Sequence, residues 1–212
     1  GRNSLLLPYK NEPLLMLLLN LPFLLTFFMM AIFGPVCEEL CFRGVVYRGY
    51  LKSGNVAGAV LLSSLLFGLM HMNFNQAPYA FAIGVSMAVL VEATGSLWSS
   101  VIMHVVFNAQ SVIAMYFYLR FYPKVWLEQT QAVTTNDDMI AAISVYLVIA
   151  VITTSLAVCV LVWLCKNQGR EEYIRWLWRE RKSGRKKGRL VSAPLIIAVI
   201  LCLAYMLLNL FL

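Results

Sequence analysis

The stretch from Gly34 to Arg48, GPVCEELCFRGVVYR, decides the class of this protein. It sets Glu38, Glu39, Arg43 and Arg48 among apolar neighbours, where ionisable groups are costly unless they pair with one another or perform chemistry. Working outward, the setting stays apolar: 61% of the 212 residues are hydrophobic and only 13% are charged. That balance excludes a soluble globular domain and points to a polytopic membrane protein. The expected fold is all-α, a transmembrane helical bundle with about seven membrane segments.

A span needs about 20 apolar residues, and candidates lie near 13-33, 36-51, 56-73, 77-93, 95-119, 139-165 and 191-212. The second is the least apolar. Behind the break expected at Gly34-Pro35 it reads as a re-entrant or interior amphipathic helix. The organisation that follows is an N-terminal transmembrane segment over 1-33, a motif-bearing core over 34-119, an external loop over 120-138 and a two-helix addition over 139-212. The chain begins with Gly and turns apolar almost at once, so further segments are expected before it. No basic region with a small-residue cleavage site precedes the first span, and a removable signal peptide is not expected.

Charge is concentrated. Residues 166-190 hold ten of the seventeen basic residues against Glu171, Glu172 and Glu180, an excess equal to the whole net charge of +7. Such a loop between apolar segments belongs in the cytoplasm by the positive-inside bias. Interleaved Tyr173, Trp176 and Trp178 suit a segment lying on anionic lipid. A nucleic-acid partner is not expected, because no nucleic-acid-binding pattern accompanies the run. With this loop inside, 120-138 falls outside and Arg48 and Lys52 fall inside, in keeping with the same rule. At 1.5 Å rise per residue, Glu38, His71 and His104 then sit roughly 14 to 22 Å above the cytoplasmic ends of their helices, in one layer of the membrane. The five cysteines (Cys37, Cys41, Cys159, Cys165 and Cys202) show no paired metal-ligand spacing and no disulfide framework.

Two further patterns, Phe67-x-x-x-His71 and His104-x-x-x-Asn108, contain both histidines of the chain. Spacing i, i+4 puts each pair on one helical face, and Glu39 and Arg43 have the same spacing in the order that favours an ion pair. Glu38 points about 100° away from Glu39. Arg43 is thus expected to orient Glu39, leaving Glu38 free to activate water as a general base. Hydrolysis of a peptide bond needs a base, donors for the oxyanion and an acid for the leaving amine. Glu38 as base, His71 as water-positioning proton shuttle, and His104 with Asn108 at the oxyanion would supply them, although spacing does not settle which histidine does which.

Other readings compete. A lone histidine between helices can be a structural hydrogen bond, and a Glu-Arg pair a clamp. Phe67 reads as packing beside His71. Cys37 or Cys41 with a histidine would make a thiol nucleophile, against the usual role of buried cysteine as a small hydrophobe. A His-Glu-x-x-His zinc protease is excluded, because neither histidine is followed by glutamate. No cofactor is expected, although ligand types alone would allow a divalent metal at Glu38, His71 and His104. A transporter would also bury charge, but paired interrupted helices in symmetric positions are missing.

Over roughly 34-110 the chain resembles the CPBP family, which unites type II CAAX prenyl proteases with bacterial bacteriocin-processing and self-immunity (Abi) proteins. The resemblance lies in EExxxR at Glu38, Glu39 and Arg43, FxxxH at Phe67 and His71, and HxxxN at His104 and Asn108. It implies a membrane-embedded glutamate-type endopeptidase with a glutamate-activated water, acting on a membrane-associated or prenylated CAAX-type protein or peptide. The small size and short loops look more like the bacterial branch, which favours a bacterial plasma membrane over the endoplasmic reticulum. The alternative the resemblance leaves open is a non-catalytic scaffold or self-immunity protein that binds a peptide or a membrane sensor.

Overall fold

A computed structural model describes residues 21–121, 136–182 and 188–211. Among these the regular structure is helical, with no strand. The helices are α1 (Phe23–Leu51), α2 (Val56–Met70), α3 (Ala77–Thr94), α4 (Leu97–Phe121), α5 (Asn136–Asn167), α6 (Glu171–Lys182) and α7 (Ala193–Phe211). Four stretches, Phe23–Leu51, Ala77–Thr94, Leu97–Phe117 and Leu147–Asn167, are long and apolar enough to cross a membrane, and α2 and α7 are shorter apolar helices. The protein is an integral membrane protein. Leu147–Asn167 has a mean hydropathy of 2.7 with none of its most apolar window buried, a surface that water would not tolerate and lipid does.

The largest departure from expectation is at Gly34-Pro35, where the chain does not break. From Phe23 onward the segment expected as 13-33 is joined to that expected as 36-51 in the single helix α1, and residues 1–20 lie outside the described residues. Two wide turns with i→i+5 hydrogen bonding, Phe28–Phe33 and Leu40–Tyr47, flank the two glutamates. The first makes Pro35 tolerable. Gly34 N–H bonds the carbonyl of Met29, five residues back, so the next donor in the series would be Pro35, which has none. The Met30 carbonyl freed in this way accepts from Asn108 Nδ2 at 3.1 Å, the kind of side-chain rescue that lets proline persist in a membrane helix. The seven helices therefore differ in membership from the seven expected spans, because α6 is polar and the first two spans are one. The external loop of 120-138 is shortened by α4 and α5, and its residues 122–135 lie outside the described residues. The basic segment is helical over Glu171–Lys182.

The described residues form two compact units, one within Gly1–Val36 and Val105–Cys159, the other within Cys37–His104 and Val160–Leu212. In the first, Phe23 packs on Tyr116 with ring centroids 4.6 Å apart. In the second, α2 and α3 pack most closely. Their approach depends on small residues, as expected where lipid offers helices no hydrophobic drive to associate. A Cβ on Gly68 would lie 2.7 Å from the Ala77 carbonyl oxygen, and one on Gly84 3.1 Å from Ser64 Cβ. Phe42, Phe67, Ala80 and Met87 form one core cluster, and Tyr47, Ala59, Val60 and Ala88 another. Gly84→Val is expected to destabilise the protein by about 1–3 kcal/mol through overpacking. A lowered midpoint of thermal unfolding in detergent, relative to wild type, checks this.

Helix α3 ends at Gly95, whose left-handed φ of 72° lets its N–H close on the Val91 carbonyl at 2.7 Å. The Arg170 guanidinium lies 2.8 Å from where a Cβ would stand on Gly95. Its Nε donates to the Glu92 carbonyl at 2.7 Å, a cation serving a helix C-terminus.

Candidate active site

Glu39 is the centre of the polar arrangement. It is wholly buried beside Arg43, itself 1% exposed, and Arg43 NH1 donates to Glu39 Oε1 at 2.8 Å across one turn of α1. Arg43 NH2 donates to the Gly84 carbonyl of α3 at 3.0 Å. The guanidinium lies over the Phe67 ring, 4.4 Å from its centroid. One fork thus ties the glutamate helix to α2 and α3. A Cβ on Gly84 would be tight against Ser64, at 3.1 Å, and in ordinary contact with Arg43 NH2, at 3.4 Å.

The same Glu39 oxygen receives His104 Nδ1 at 3.0 Å. With Glu39 ionised as the partner of Arg43, that contact requires a hydrogen on Nδ1, and it turns Nε2 toward Glu38, 3.8 Å from Glu38 Oε2. This separation exceeds a hydrogen bond. Glu38 Oε2 and Glu39 Oε2 are buried and have no hydrogen-bond partner. Arg43, Glu39, His104 and Glu38 therefore form a chain in which a carboxylate orients an imidazole whose far nitrogen faces a second carboxylate.

His71 closes α2, and its Nδ1 bonds the Phe67 carbonyl at 2.9 Å. A carbonyl only accepts, so Nδ1 carries the hydrogen and Nε2 of the neutral ring keeps its lone pair. Phe67 is what relates the two histidines. It is 2% exposed, and the His71 and His104 rings meet it edge-on at centroid distances of 5.1 and 5.7 Å. Phe42 meets the same ring at 5.2 Å. Packing was the expected role for Phe67, and this packing sets the angle of both imidazoles.

Of the six expected site residues, Glu39, Arg43 and His104 are joined directly, Glu38 faces His104 at 3.8 Å, and His71 is related to them through Phe67. Asn108 follows His104 by one turn of α4, and its amide is bound to the Met30 carbonyl of α1. Asn108→Leu is expected to cost about 1 kcal/mol of stability, the scale of a hydrogen bond between membrane helices. The check is the midpoint of thermal unfolding, with the Pro35→Ala background removing the effect by restoring a backbone donor. Among the described residues no group of three His, Cys, Asp or Glu side chains is arranged to hold a metal ion.

One participant, Gly84, and one buried acid apart from the site, Glu92, were not singled out from the sequence. Gly84 offers only a carbonyl and carries no signal. Glu92 does carry one, as a lone acid inside an apolar helix. It is 8% exposed and accepts from Tyr47 at Oε1, 2.8 Å, and from Tyr173 at Oε2, 2.7 Å. Burial, with the hydrogen bond to Glu92, pushes the Tyr173 phenol up to about 12, so it stays a donor at neutral pH.

Residues 20–110 match the model of the Rce1-like family, described as type II CAAX prenyl endopeptidase Rce1-like. The chain is 30% identical over 83 residues to the Bacillus subtilis (strain 168) protein named "Putative membrane peptidase YdiL", covering 39% of this chain and 34% of that protein. It is 29% identical over 110 residues to "Membrane-embedded CAAX protease MroQ" of Staphylococcus aureus (strain USA300), covering 49% of this chain and 44% of that one. The chain thus matches less than half of the length of either relative. No solved structure matches. The stretch that is similar to the Rce1-like family, residues 20–110, holds all three motifs and the buried carboxylate and imidazole chain built from them.

Proposed function

We propose that the protein is a membrane-embedded endopeptidase that hydrolyses peptide bonds through a water activated by Glu38. The observation that carries this is the chain from Arg43 through Glu39 to His104, ending opposite Glu38, whose Oε2 is buried and without a partner. A structural clamp would need Glu39 and Arg43 alone. In the proposed reaction Glu38 takes a proton from water as its oxygen attacks the scissile carbonyl carbon. His104, held by Glu39, donates from Nε2 in its protonated form to the oxyanion. The proton on Glu38 then passes to the leaving nitrogen as the carbon–nitrogen bond breaks, giving a carboxylic acid and an amine. His71 assists by accepting and returning a proton at Nε2. Asn108 acts at one remove, holding α4 through the Met30 carbonyl.

The proposed substrates are membrane-associated proteins or peptides, prenylated CAAX-type ends among them. The proposed setting is a bacterial plasma membrane, with the basic segment 166-190 cytoplasmic and against anionic lipid. No cofactor is proposed. The test is cleavage of a quenched farnesylated peptide and of unmodified membrane peptides by purified protein, with and without chelator. Cleavage that His71→Ala lowers strongly and chelator leaves intact supports the metal-free reading. Loss on chelation, restored by a divalent cation, moves Glu38, His71 and His104 to ligand roles. Binding without cleavage by wild type replaces the enzyme with a scaffold or immunity protein.

A further inference from the structure

Within the unit that holds α6, a cavity of about 990 Å³ lies between α2, α3, the end of α5 and α6. Its walls include Val60, Leu61, Val89, Leu161, Ile174 and Leu177. None of Glu38, Glu39, Arg43, His71 or His104 lines it. Of the polar side chains in its wall, Glu92 and Tyr173 are bonded to each other at 2.7 Å, the other Glu92 oxygen is taken by Tyr47, and Asn55 Oδ1 accepts from Gly58 N–H at 3.0 Å. The interior therefore has little to give a polar ligand, and its volume is at the upper end for a ligand site. The rim is different. Lys166 and Arg175 both flank Glu171, each at 3.8 Å, and their side chains are 64% and 74% exposed. Two cations share one carboxylate there, leaving positive charge at the mouth of an apolar chamber beneath an amphipathic helix.

We infer that this cavity is a binding site for one anionic phospholipid, with its acyl chains in the chamber and its phosphate against the exposed Lys166 and Arg175 on the side away from Glu171. Charge complementarity selects the headgroup, since basic side chains at a membrane surface favour anionic over zwitterionic lipid. The shape of the site separates it from the annulus: a surface-bound lipid has no chamber to fill. Because no catalytic side chain lines the cavity, the site is independent of the endopeptidase reading and its test involves no cleavage.

The full chain in mild detergent would be titrated with dioleoyl phosphatidylglycerol or dioleoyl phosphatidylcholine and the bound lipids counted by native mass spectrometry. One phosphatidylglycerol retained per protein, with a preference of roughly tenfold, is expected. Lys166→Gln with Arg175→Gln removes the preference. Ala57→Trp, from an exposed position on the wall, removes the bound lipid of either kind. Leu61→Trp serves the same end should Ala57→Trp fail to give the wild-type helical circular dichroism. Equal binding of both lipids, or binding indifferent to both kinds of variant, overturns the site. So does displacement of the lipid by a farnesylated peptide whose binding the rim substitutions leave unchanged, which would make the chamber a substrate-tail site.

Discussion

Glu38→Gln is expected to lower peptide cleavage by roughly 10²- to 10⁴-fold, the range for loss of a general base, without lowering the thermal stability of the protein. The asymmetry comes from its surroundings. Glu38 Oε2 has no hydrogen-bond partner and stands 3.8 Å from His104 Nε2, so an amide of the same size removes the base and disturbs no bond. Glu39→Gln contrasts with it. It weakens the hold on both Arg43 and His104, and both activity and stability should fall. The pair is measured by turnover of a quenched peptide alongside thermal unfolding in the same detergent. Full turnover by Glu38→Gln would end the glutamate-base reading and favour a protein that binds peptide without cutting it.

Arg43→Met is expected to have the largest effect on stability, about 3–5 kcal/mol, because it strands a buried carboxylate. Glu39 has no solvent contact, and Arg43 is its permanently charged partner, at 2.8 Å. The loss extends beyond the ion pair, since NH2 also serves the Gly84 carbonyl and the guanidinium stacks on Phe67. Arg43→Lys should recover only part of it, as an ammonium cannot span both acceptors in a planar fork. A second substitution separates charge from shape. In the double variant Glu39→Gln with Arg43→Met, the stranded charge is gone, and stability should return toward wild type while cleavage stays low. Denaturant or thermal unfolding of the four proteins closes the cycle, and a double variant as unstable as Arg43→Met would assign the effect to packing instead.

The residues that were legible are those whose partners lie within one helical turn. Spacing i, i+4 is enough to pair Glu39 with Arg43 and to put His71 beside Phe67, because helix geometry delivers those contacts whatever the tertiary fold. The apolar segments were legible too, since a membrane demands length and hydropathy that composition displays directly. Gly34-Pro35 misled because proline was read by its usual effect. Its cost depends on whether the orphaned carbonyl finds another donor, and the donor, Asn108, lies 78 residues away. The basic segment showed its charge in the sequence, but not that one side of it would wall a cavity.

The sequence by itself determined that the chain is helical and membrane-embedded, which residues are ionisable in its interior, and which of them share a helical face. These follow from local geometry and from the cost of charge in an apolar medium. Only the tertiary structure decided that His104 completes the Glu39 pair, that both histidines turn on the Phe67 ring, that Gly84 receives Arg43, and that Glu92 collects Tyr47 and Tyr173. Each of these depends on how closely two distant helices approach, and that distance is set by the small residues and freed carbonyls where they meet.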